Sequence, residues 1–411
     1  MRFQRKIAPE IKTKANFISK KRIREDDINF ENLRSYRLNR VRNELKKNNL
    51  QACILFDPVN VRYALDSTNM SVYNMHNLTR YCFIAVDGPV ILYEYFNCEE
   101  FVSHLNLIDE IRPAITWDYF SNGDQAPKEL KKWIGEIEDL SKSFFKDKKI
   151  AIDVLNGPAV TALNEIGIQV LDAKPIIEQA RVIKSKDEII CMRAAIDVAE
   201  KGIVEMREQL KAGMTENELW SILHKANISN YGEWIECRLL ASGCRTNPWM
   251  QECSNKIIQD GEIVSFDTDM VGPYGYCADI SRAFVVGNKF NDEQKKIYSM
   301  AVEQIEYNSN LIKPGVSFKE FIEKSWKLPE EYYGNRYSCM AHGIGLCDEW
   351  PFIRYPTDGG QKEGYFEKNM TITVESYIGK QGAKEGVKLE QQFLINDDGL
   401  ELMSKHPLEE I

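Results

Sequence analysis

The chain has 411 residues, 43% apolar and 28% charged, with a formal net charge of −9. That length predicts two or three domains with ample buried core, and the composition is that of an ordinary soluble globular protein. The acidic balance argues against nucleic acid as a primary partner, and no run approaches the ~18 apolar residues needed to cross a bilayer.

The N-terminal segment MRFQRKIAPEIKTKANFISKKRIR is a basic arm without the apolar stretch of a secretory signal, so a solvated tail or an oligomer contact is expected. Residues 35–50 show helical periodicity and lead into the apolar strand ACILF (52–56). Strands at 80–86, 89–96 and 149–154, interleaved with helices near 97–107 and 127–142, predict an α/β domain over 1–182. Its boundary falls where AKPIIEQARVIKSKDE, with Pro175 and a cluster of charges, passes into a long helix. The second domain, 183–411, adds helices at 187–211, 215–226, 291–311 and 317–325 to antiparallel strands. The ten cysteines show no CxxC pair and no framework spacing. They read as reduced core thiols, which predicts the cytoplasm. Cys347 has no cationic helper beside it in sequence to make it a nucleophile.

Chemistry concentrates in SFDTDMVGPYGYCADISRAFVVG (265–287). Aspartate is a poor strand former, yet Asp267, Asp269 and Asp279 stand among Val, Ile, Phe and Tyr. Alternation in a strand puts Asp267 and Asp269 on one face, and the turn Gly-Pro-Tyr-Gly (272–275) folds Asp279 back opposite them. Carboxylates so placed repel one another unless a cation lies between them. Glu375 in MTITVESYI and Glu390 in GVKLEQQFLI add two more, and His342 stands between in MAHGIGLCDEW. Five carboxylates and one imidazole, all expected on the antiparallel strands, suit two divalent ions sharing bridging carboxylates. Singly, each of these residues also reads as a solvated edge carboxylate or a packed core histidine.

The order Asp, Asp, His, Glu, Glu, with GYCADISRAF after the turn, resembles the pita-bread family of creatinase, prolidase and aminopeptidase P. The likeness extends through ARVIKSKDEIICMRAAIDVAEKGI (180–203) and FDPVNVRYAL (56–65), so it covers nearly the whole chain. It implies an α+β fold, with a pita-bread catalytic domain preceded by a smaller creatinase-like α/β domain, and a homodimer. It also implies metal ligands at Asp269 or Asp267, then Asp279, His342, Glu375 and Glu390. The departures matter as much. Prolidase-like enzymes carry a histidine six residues after a Ser-Gly pair, where Trp249 stands here, and another seven residues after the metal-binding histidine, where Glu349 stands. Amide hydrolysis must protonate a poor leaving group and steady an oxyanion, so these losses weaken a peptidase reading.

HGIGLCDEWPFIRYP is similar to the corresponding stretch of dimethylsulfoniopropionate lyases of the DddP type, and so is the doubled aspartate Asp267–Thr268–Asp269, which there implies that both serve as ligands. That resemblance implies β-elimination from a small zwitterion, giving dimethyl sulfide and acrylate, with iron as the metal; the ligand set itself equally suits Mn or Co, and Zn stays open. Asp348 is the candidate base and Glu349 its rival. Tyr337, Trp350, Trp249 and Tyr73 are candidates to surround the sulfonium by cation–π contact. A metallohydrolase acting on Xaa-Pro peptides and a non-enzymatic binding module are the other readings.

Overall fold

The computed structural model describes residues 27–287, 289–360, 363–409 and 411. The basic arm lies outside the described residues.

The first half of the chain forms a six-stranded sheet in the order Glu110–Pro113, Val90–Glu94, Tyr81–Ala85, Ala52–Leu55, Lys149–Ile152, Gln169–Asp172. Its central strands Ala52–Leu55 and Tyr81–Ala85 read as unbroken apolar runs because both faces are covered. Ile54, Phe83 and Tyr93 turn towards Trp117, Trp133 and the helix Ala126–Phe144. Cys53, Leu55, Cys82 and Ile84 turn the other way and share a core with the helix Phe30–Lys47. The helix expected near 97–107 is only a 3-10 turn, Glu99–Val102. The segment buries Val102 and Leu105 while Phe101 stays exposed, too narrow an apolar stripe to hold a longer helix.

The second half opens on the helix Lys186–Gln209, started by a capping box in which Ser185 and Glu188 each bond the other's backbone N–H. A five-stranded antiparallel sheet follows, in the order Asp348–Arg354, Cys339–Ile344, Thr371–Ile378, Val387–Asn396, Gly399–Leu402. Alternation divides its central strands cleanly. Ile372, Val374, Ile378, Val387, Leu389 and Ile395 join the core that also holds Ile297, Ala301 and Ile305 of the helix Asp292–Leu311. Thr373, Glu375, Lys388, Glu390 and Gln392 occupy the other face.

Two three-stranded sheets close over that face: Trp234–Ile235 with Met270–Val271 and Cys277–Ala278, and Leu240–Ser242 with Ile263–Phe266 and Arg282–Val285. The continuous acidic hairpin expected over 265–287 is therefore broken. Asp267, Thr268 and Asp269 lie between two short strands, and Asp279 lies in the corresponding gap on the return. Asp269 takes φ +33°, outside the strand region. The buried Thr268 hydroxyl donates to Ala278 O at 2.7 Å and accepts from Ile280 N at 2.9 Å, replacing ladder bonds across the gap. Backbone geometry, more than alternation, aims these aspartates inward.

Candidate metal centre

Glu375 and Glu390 are directly opposite each other on paired strands, and His342 pairs with Thr373 on the next. Like charges in direct register destabilise a sheet unless something neutralises them. His342 Nε2 lies 3.3 Å from Asp279 Oδ2, 3.4 Å from Glu375 Oε1 and 3.6 Å from Glu390 Oε1. Its Nδ1 is 2.9 Å from Gly343 O, a contact that favours a proton on Nδ1 and leaves the Nε2 lone pair facing the carboxylates. Phe352 stacks on the imidazole at 6.0 Å between ring centroids. Ligand atoms of Asp279, His342 and Glu390 form one group within 4.8 Å of one another, and those of Asp267, Asp269 and Asp279 form a second. Asp279 belongs to both.

The electrostatics are those of a cation site. Burial pushes the Asp279 carboxyl well above its usual range, and Glu390, Asp269 and Asp267 push it further. Burial raises Glu375 to about 7, with Glu390 adding to the effect. Burial works to lower His342, yet the negative charges of Asp348 and of the facing Asp279, Glu375 and Glu390 outweigh it and hold the imidazole well above its ordinary value. Asp267 Oδ1, Asp279 Oδ1 and Glu390 Oε1 are buried without a hydrogen-bond partner. Orphaned oxygens of this kind are costly unless a metal takes them, so the six residues fit divalent ions.

Sequence reasoning missed Lys388. Fully buried, its ammonium lies 2.5 Å from Glu375 Oε2, 2.9 Å from Asp267 Oδ2, 3.2 Å from Glu390 Oε2 and 2.6 Å from Ser281 Oγ. The signal was its place two residues before Glu390 in a strand, hence on the same face. Around it stand two of the candidate aromatics, the Tyr337 ring at 5.3 Å and the Trp249 ring at 5.7 Å from Nζ. Trp249 is 7% exposed and its indole N–H has no partner. Trp350 instead packs edge-on against Phe318, 5.2 Å between centroids. Tyr73 sits half-buried on the N-terminal-domain helix Ser71–His76, with no hydrogen bond, ion pair or ring contact to the ligand residues.

Asp348 and Glu349 part company. The hairpin that pairs Ile344 with Asp348 folds Asp348 back over His342, its Oδ1 3.9 Å from Nδ1 and its side chain 52% exposed. Thus Asp348 begins a return strand, Asp348–Arg354. Glu349 faces the other way. It is buried, 2.6 Å from Lys184 Nζ and 3.5 Å from Arg181 Nε, and it accepts from Leu346 N. Removing one partner of a buried pair costs about 3–5 kcal/mol. Glu349→Ala should lose stability on that scale in chemical denaturation, and Asp348→Ala under about 1 kcal/mol. Beside them, burial holds the Cys347 thiol above its ordinary range.

Residues 190–397 match the model of metallopeptidase family M24, half of the chain. The chain belongs to that family. It is 37% identical over 390 residues to dimethylsulfoniopropionate lyase DddP of Roseovarius nubinhibens, covering 92% of this chain and 87% of the relative. It is also 37% identical to the protein of the same name from Roseobacter denitrificans, over 92% and 86% of the two chains. The Xaa-Pro dipeptidase of Bacillus anthracis superimposes with a TM-score of 0.74 at 21% identity, over 91% of this chain and 98% of that one, which shows the shared fold. The α+β pita-bread architecture, with an N-terminal domain before the catalytic one, is thereby established.

Proposed function

We propose that this chain is a metal-dependent carbon–sulfur lyase that cleaves dimethylsulfoniopropionate to dimethyl sulfide and acrylate by β-elimination. The observation that carries this reading is a half-exposed carboxylate, Asp348, beside His342, while Trp249 and a Glu349 ion-paired to Lys184 stand where a peptidase keeps its histidines. The two DddP relatives support it across nearly the whole chain.

Asp267, Asp269, Asp279, His342, Glu375 and Glu390 would hold the divalent ions, which would supply Lewis acidity towards the substrate carboxylate. Asp348 takes a proton from the carbon next to that carboxylate. The freed electron pair forms the double bond of acrylate, and the carbon–sulfur pair departs with sulfur as neutral dimethyl sulfide. Asp348 then returns its proton to water. The leaving group needs no acid, in contrast to the amine of a peptide. Iron is the metal we favour, and Mn, Co or Zn is compatible with hard oxygen ligands and one imidazole.

We assign the sulfonium to Tyr337 and Trp249, each aromatic face contributing ~0.5–2 kcal/mol. Tyr337→Ala and Trp249→Ala should each raise KM by about 2- to 30-fold, and Tyr337→Phe by less, in steady-state assays. A homodimer in the cytoplasm is part of the same reading. The exposed Met70, Val72 and Met75 along the Tyr73 helix offer an apolar contact for a second copy. No helix among the described residues is long and apolar enough to cross a membrane.

The test is headspace detection of dimethyl sulfide from purified, iron-loaded protein given dimethylsulfoniopropionate. Release that disappears with a chelator is the expected result. Silence from folded, metal-replete protein would return the weight to hydrolysis of a small amide, which release of proline from a dipeptide would then reveal.

A further inference from the structure

We infer that Lys388 sets the charge of the centre, matching it to two divalent ions and discriminating against trivalent ones. The inference rests on the metal-centre reading and not on which reaction the centre performs.

Five carboxylates, Asp267, Asp269, Asp279, Glu375 and Glu390, face one another with His342. With all five ionised, the ammonium of Lys388 cancels one charge, and the four that remain are what two divalent ions neutralise. Within the ligand set itself, two trivalent ions would leave two surplus positive charges, and unbalanced charge is most costly in a buried site.

Lys388 is built in as a fixed component. It is wholly buried, and its Nζ contacts oxygens of Asp267, Glu375 and Glu390 together with the Ser281 hydroxyl. Those carboxylates come from both ligand groups or bridge them through the paired strands, so the ammonium acts on the whole centre. Arg282, the other buried cation nearby, is turned away. Its guanidinium donates to the carbonyls of Ser281, Glu390 and His406 and to the Gln391 side chain, on the opposite strand face from the Glu390 carboxylate. A unit charge ~5 Å from an ion, at an effective dielectric constant of ~20, changes the relative binding of ions differing by one charge by about a hundredfold.

The experiment offers metal-free protein equimolar Zn(II) and citrate-held Ga(III), and reads the bound metals by mass spectrometry. Native protein should take two zinc ions and essentially no gallium. Lys388→Met removes the charge, and Lys388→Gln removes it while keeping hydrogen-bond donors. Both should raise the bound gallium-to-zinc ratio by about a hundredfold, and Lys388→Arg should keep the native ratio. A purely structural lysine would weaken both ions together and leave the ratio unchanged; that result from a folded neutral variant overturns the proposal. So does native protein that takes gallium as readily as zinc, a readout that requires no variant to fold. Native protein that binds neither ion overturns the metal-centre reading itself, and this inference with it.

Discussion

Asp348→Ala should lower kcat for dimethyl sulfide release by about a thousandfold while leaving bound metal at the native level. The size follows from what a positioned general base contributes, roughly 10²- to 10⁴-fold. The selectivity follows from geometry. Asp348 stands at the edge of the ligand set, half-exposed, and touches it only through the far nitrogen of His342 at 3.9 Å. Its carboxylate carries no ion pair with Lys or Arg among the described residues, so its loss opens no buried charge. Asp348→Asn is the sharper variant, since it keeps the shape and removes only the basicity. Activity should also fall as the medium is acidified and Asp348 takes up a proton. Partial desolvation raises the carboxyl of the half-exposed Asp348, His342 opposes that and Glu390 adds to it. Elemental analysis alongside steady-state rates checks the claim. Native turnover in Asp348→Asn would remove this residue as the base, and loss of metal in step with activity would make it a support of the ligands.

How much of this was legible in the sequence differs from residue to residue. Glu375, Glu390 and His342 were readable because strand alternation carries a polar residue to one face whatever the neighbours do, and three polar faces in adjacent strands had to meet. The aspartates were readable as a set and not as a geometry. Asp269 takes a backbone conformation that depends on Thr268 bonding across to Ala278 and Ile280, a contact that no local pattern announces. Lys388 was overlooked because a lysine in a strand is usually a surface residue, and only the tertiary closure of a second sheet buries it. Glu349 and Asp348 are adjacent letters of one acidic pair. What separates them is a partner, Lys184, 165 positions away in the chain. Trp350 and Trp249 are likewise indistinguishable as letters, and the fold sends one against Phe318 and the other to Lys388.

Asp279→Ala should strip the centre of most of its metal and take turnover below detection. It is the one carboxylate common to both ligand groups, so its removal opens both positions at once. The same substitution should act on stability with opposite signs in two conditions. Without metal, Asp279 is a buried carboxyl whose ionisation burial opposes and which Glu390, Asp269 and Asp267 repel. Among the described residues its one close cationic partner is His342, at 3.3 Å. Removing it relieves that repulsion, so the metal-free variant should equal or exceed the metal-free native protein, by up to about 1–3 kcal/mol. With metal present the order reverses. The native protein gains RT ln(1 + [L]/Kd) from each bound ion, about 2.7 kcal/mol at a hundredfold excess over Kd, and the variant forgoes it. Denaturant melts with and without saturating metal give the four numbers required. A variant weaker than native by the same amount in both conditions would make Asp279 a structural carboxylate, and full metal occupancy in the variant would remove it from the ligand set.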